Sequence, residues 1–82
     1  MKAEVKYNRK IPNVYMESLG PGIATMEDVK GYHIRYSNSS ICEFLVILES
    51  EAYMLYKISD YSWIKFIFSN DEGERFEFEF VN

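Results

Sequence analysis

Residues 63–81, WIKFIFSNDEGERFEFEFV, decide the fold. Two strictly alternating runs flank Asn70-Asp71-Glu72-Gly73, which is the pattern of a β-hairpin. Setting Phe68 opposite Phe76 puts Phe66 opposite Phe78 and Ile64 opposite Phe80, all on one face. Asp71-Glu72-Gly73 then forms the loop, and Gly73 sits where a left-handed residue is needed. The other face pairs Trp63 with Val81, Lys65 with Glu79, Ile67 with Glu77 and Ser69 with Arg75. Slipping the register by one residue would bury Glu77 and Glu79 and expose phenylalanines, so the register is firmly specified.

Working outward, the chain reads as further strands. Residues 2–8, KAEVKYN, alternate Ala3, Val5 and Tyr7 against lysines and Glu4, as a half-buried edge strand does. Pro12 prevents a central strand there, while Val14-Tyr15-Met16 suits a short edge strand. Residues 18–22, SLGPG, form a loop. Thr25 and Asp28 resemble a capping box, and Lys30-Gly31 closes the segment, so a short helix or 3-10 turn is expected near residues 25–31. Tyr32–Ser37, Ile41–Leu48 and Tyr53–Ile58 read as strands separated by polar turns. The run FLVIL in the second of these marks a central strand covered on both faces.

The expected fold is therefore mainly β. It is a small antiparallel meander or barrel-like curved sheet of five to six strands, with one short helical turn, in a single domain spanning residues 1–82. In architecture alone it is similar to SH3-like and OB-type small barrels, a likeness that carries no function. A chain of this length buries roughly 60–65% of its unfolded surface, enough for a modest core.

Composition narrows the function classes. The formal net charge is −4, unevenly spread. Residues 1–10 hold Lys2, Lys6, Arg9 and Lys10 against Glu4; residues 43–82 hold nine acids against Lys57, Lys65 and Arg75. Such a surface repels phosphate backbones and argues against direct nucleic-acid binding. One cysteine, Cys42, excludes a disulfide within the chain and suits a reducing compartment. The charged N-terminus predicts no secretory leader, and the longest apolar run, Phe44–Leu48, is far too short to span a membrane. A cytoplasmic protein is expected.

No catalytic constellation stands out. His33 is the sole histidine and reads as a surface residue beside Arg35; Cys42 reads as a buried structural thiol. Glu77 and Glu79 lie about 6.5–7 Å apart on one strand face, a spacing more often solvated than catalytic. Asp71, Glu72 and Glu74 lack the ligand count of a calcium loop. No cofactor, metal or nucleotide motif is expected. What remains is aromatic: Tyr53, Tyr61 and Trp63 beside Glu72, Glu74, Glu77 and Glu79 form a candidate partner-binding face.

The expected function is a small acidic protein-binding module without enzymatic activity. It would inhibit by blocking a basic surface of a partner protein, in the manner of immunity or viral anti-defence proteins or of a nucleic-acid mimic. Two other readings remain: a structural module self-associating, as a homodimer, through its sheet, and, more remotely, a Cys42/His33 enzyme.

Overall fold

The hairpin forms in the expected register: Phe68 opposes Phe76, Phe66 opposes Phe78, Ile64 opposes Phe80, and Trp63 opposes Val81. Its turn follows from side-chain chemistry. Gly73 takes φ +84°, and its N–H donates to the Asn70 carbonyl at 3.2 Å. The Asn70 Oδ1 accepts from the N–H groups of Glu72 and Glu74, each at 3.0 Å. Asn70 thus replaces missing ladder bonds with its own amide, as asparagine does in turns.

The computed structural model describes residues 1–10 and 22–82. Among these it contains seven strands, more than the five to six expected: β1 (Lys2–Arg9), β2 (Gly22–Met26), β3 (Val29–Ser37), β4 (Ser40–Leu48), β5 (Tyr53–Lys57), β6 (Tyr61–Ser69) and β7 (Arg75–Val81). The candidate strand at Val14–Met16 and all of the 18–22 loop but Gly22 lie outside the described residues. All ladders are antiparallel, but they form two sheets, ordered β2-β1-β6-β7 and β3-β4-β5, rather than one curved sheet or a closed barrel.

The helical turn expected near 25–31 is absent. Thr25 lies in β2, and β3 begins at Val29. Between them Asp28 takes φ +53°, a left-handed value that Asp tolerates better than most residues. Val29 exchanges backbone hydrogen bonds with Met1, at 2.8 and 3.1 Å. The strand therefore stays paired beside β1 while it bends into the second sheet. Among the described residues the one 3-10 turn is Ile58–Asp60, so β5 ends at Lys57, one residue earlier than expected. This turn carries the chain back from the second sheet to the first. Asn38 and Ser39, both at positive φ, close the β3–β4 hairpin as a two-residue turn. Gly22 is needed in β2 because the Tyr7 ring lies across it, in the space a Cβ would fill.

The core lies between the sheets. Val5, Ile64, Phe66 and Phe68 of the first sheet and Phe44 and Val46 of the second are fully buried. Phe44 stacks on Phe66 with ring centroids 3.8 Å apart, Phe78 lies tilted against it and Phe80 approaches it edge-on. Tyr32 lies over Phe68, Phe76 and Phe78 at one side. Tyr56, Tyr61 and Ile58 fill the other end. Each fully buried side chain of this size contributes about 1.5–3 kcal/mol. β4 is central in its sheet, as FLVIL suggested, and Leu45 on its outer face is 6% exposed between His33 and Leu55.

Candidate functional site

The outer face of the four-stranded sheet is built by parity. Residues opposed across β1, β6 and β7 share a face, which gives the rows Lys2–Ser69–Arg75, Glu4–Ile67–Glu77, Lys6–Lys65–Glu79 and Asn8–Trp63–Val81. Trp63 is half-buried, and its indole N–H donates to Glu79 at 2.5 Å. That bond fixes the ring against β7. Val81 beside it is 74% exposed, an apolar surface that folding leaves uncovered.

The carboxylates on this face are already occupied. Lys65 lies opposite Glu79, yet its ammonium reaches diagonally to Glu77 at 3.1 Å. Arg75 adds two further contacts to Glu77, at 2.9 and 3.1 Å. The hydrogen bond from Lys65, then that from Arg75, holds the Glu77 carboxyl below its ordinary range. Lys6 pairs with Glu4 and Lys2 with Glu27. These exposed pairs each stabilise by about 0–1 kcal/mol, so their main effect is to balance the charge of the face.

The acid excess lies instead at one end of the molecule. The β1 start pairs with Ser69 and Met26, Met1 bonds to Val29, and Glu49 donates its N–H to the Asp28 carbonyl. Three turns therefore converge there, bringing Glu27, Asp28, Glu49, Glu51, Asp71, Glu72 and Glu74 together against Lys2, Lys30 and Arg75. The opposite end carries Arg9, Lys10, Arg35 and Lys57 with Glu43 and Asp60, since Lys10 bonds to Asp60 and Glu43 lies between Arg35 and Lys57. Among the described residues, charge is thus separated along the strands, with acid in excess at one end and base at the other.

The residues singled out from sequence are divided by the fold. Trp63, Glu77 and Glu79 share the outer face, and Glu72 and Glu74 form the tip of the same hairpin. Tyr53 lies on the outer face of the other sheet, 58% exposed. Tyr61 is 5% exposed and belongs to the core, edge-on to Tyr7 at 5.5 Å with the Arg9 guanidinium over its ring. Burial raises its phenol pKa, with Arg9 opposing. No partner can reach it without unfolding the corner. Val81 stands opposite Trp63 on this face, as the hairpin register predicts.

Near the basic end an open cleft of ≈ 370 Å³ is lined by Lys10, Cys42, Glu43, Lys57, Ser59 and Asn82, among others. His33 does not line it; it sits on the outer face beside Leu45. Cys42 is half-buried at this cleft rather than buried as expected; its thiol donates to the Arg35 carbonyl at 3.4 Å, and the cleft joins it to Glu43 but to no imidazole. Among the described residues no three His, Cys, Asp or Glu side chains converge on a metal position, and no helix is long and apolar enough to cross a membrane. No protein-family model, no curated protein and no solved structure matches this chain.

Proposed function

We propose that the protein acts by occupancy rather than catalysis, as a protein-binding module whose docking surface is the outer ribbon of the β6–β7 hairpin. The partner is a protein with a basic surface around an apolar pocket, and binding inhibits that surface. The observation that carries this reading is the pairing of Trp63 with a 74% exposed Val81 on a hairpin tipped by Asp71, Glu72 and Glu74. A fixed aromatic ring beside uncovered apolar surface has the chemistry of an interface anchor. The acidic tip begins about 23 Å along the strand from it, seven residues from Val81 to Glu74 at about 3.3 Å each, and suits electrostatic steering.

Nucleic-acid mimicry has less support than a protein-steering role. A phosphate mimic needs unpaired carboxylates in a row, whereas Glu77 is held by Lys65 and Arg75 and Glu79 by Trp63. Tyr61 drops out of the proposed surface, and Tyr53 lies on the far side. The lone thiol of Cys42 suits work in a reducing, cytoplasmic setting.

Affinity capture from cells with wild-type and Val81→Lys baits tests the reading. A partner retained by wild type and lost by the folded variant supports it. Identical captures would remove the hairpin ribbon as the docking surface.

A further inference from the structure

The second sheet offers a separate surface. Its edge strand β5 exposes Tyr53, Met54 and Leu55 in succession, at 58%, 47% and 50%. The other edges are guarded differently. β7 carries Arg75, Glu77 and Glu79, β3 carries Lys30, His33 and Arg35, and β2 presents one exposed aliphatic, Ile23. Natural sheets use such charges to discourage edge pairing, and β5 has none before Lys57.

The free backbone groups of β5 can be assigned. Leu48 donates its N–H to the Ala52 carbonyl at 2.8 Å, so that pair is hydrogen-bonded. Bonded and non-bonded pairs alternate along an antiparallel ladder. Val46–Met54 and Phe44–Tyr56 are therefore bonded pairs, and Tyr53, Leu55 and Lys57 turn their N–H and C=O groups away from β4. Among the described residues no backbone group takes these up.

From this we infer that β5 joins a second copy of this chain, antiparallel, about a two-fold axis at Leu55. That register uses all three outward residues: Leu55 faces its own copy, and Tyr53 faces Lys57 of the other chain twice. The two β3-β4-β5 sheets become one continuous sheet, and the outward side chains of Tyr53 and Leu55 from each copy cover one another. Charge selects this orientation. An antiparallel dyad lays the acidic end of one copy, with Glu49 and Glu51, against the basic end of the other, with Lys57 and Lys10. A parallel pairing would set like ends together. The surface is independent of the hairpin ribbon, which lies on the other sheet.

Sedimentation velocity across a concentration series tests the inference on the full chain. The wild type is expected to move from 9.7 kDa to twice that mass. Leu55→Lys, at a half-exposed position that accepts lysine without disturbing the core, should raise the dimer Kd by about tenfold or more. Added salt should weaken the wild-type dimer. A second measurement reads the register directly: in a Cys42→Ser background, Leu55→Cys should cross-link spontaneously in air. Opposed residues of a bonded pair have Cα atoms about 5.5 Å apart, within disulfide reach. Thr25→Cys on β2 should not cross-link. A wild type that stays monomeric at the highest soluble concentration overturns the inference, as does a dimer indifferent to Leu55→Lys or a Leu55→Cys variant that fails to cross-link.

Discussion

Replacing Phe44 by alanine removes the ring that holds the two sheets together. Phe44 is fully buried and lies within 3.8–6.3 Å, centroid to centroid, of Phe66, Phe78, Tyr32, Phe68 and Phe80. Those rings project from strands fixed in two separate ladders, so they cannot close over the hole. The loss should fall in the upper part of the range for such truncations, about 4–5 kcal/mol. A domain of 82 residues has about 4–12 kcal/mol of stability in total, so the variant sits near the edge of folding. Phe76→Ala is the internal control: it has the same chemistry and faces the same core, but Phe76 is 42% exposed. It should cost about 1–2 kcal/mol. Urea unfolding followed by Trp63 emission and circular dichroism measures both. A Phe44→Ala cost within about 1 kcal/mol of that for Phe76→Ala, at unchanged m-value, would refute the reasoning, because it would mean that Phe44 does not lie between two sheets.

Gly73→Ala isolates the turn. No atom lies within 4 Å of the added Cβ, so only the left-handed φ of +84° opposes it, and a loss of about 1–2 kcal/mol is expected by urea unfolding. No loss would mean that the turn is not the one described. Tyr56 governs alkaline stability: burial first, then the neighbouring Tyr61 and Tyr7, push its phenol from 10.0 up to about 12. The folded state holds this proton more tightly than the unfolded chain. Its contribution is therefore complete below pH 10.0 and is lost as pH rises towards about 12. Tyr56→Phe should flatten the fall in stability over that window, and an unchanged slope would contradict the burial. Glu77 carries the opposite sign: its lowered carboxyl pKa stabilises above 4.5, and the contribution disappears as pH falls through the folded value. A carboxyl-carbon titration should place its midpoint below 4.5, and Lys65→Ala should raise it. A wild-type midpoint at or above 4.5 would remove the ion pair.

The hairpin was legible because local signals agreed. Alternation set its faces, and the Gly73 loop set its register. The corner at residues 27–29 was not legible, since Thr25 and Asp28 carry the residue types of a helix start. The bend in fact comes from Asp28 at positive φ and from Met1 pairing with Val29, a contact between distant parts of the chain. The division into two sheets has the same origin: β1 inserts between β2 and β6, so it is an interior strand and not the edge strand that its lysines suggested. Tyr61 was grouped with Tyr53 and Trp63 as an aromatic beyond those that fill the phenylalanine face. The irregular start of β6 buries it against Tyr7 instead. Charge was misjudged for a related reason. Opposition across strands pointed Lys65 at Glu79, while the longer reach of the side chain favours the diagonal Glu77, leaving the face balanced and the acid in the turns. The charge-free edge of Tyr53-Met54-Leu55 was visible in the sequence, but it gains meaning only once β5 is known to be terminal in its sheet.

The docking role of the hairpin ribbon predicts a division of labour that binding kinetics can separate. The captured partner is immobilised and its binding followed at low and high salt with wild type, Val81→Lys and Glu72→Lys/Glu74→Lys. Val81→Lys should dissociate faster at both salt concentrations, because it spoils the apolar anchor. Glu72→Lys/Glu74→Lys should associate more slowly at low salt and approach wild type at high salt, because it removes steering. If both variants bind as wild type does at both salt concentrations, the β6–β7 outer face is not where this protein meets its partner.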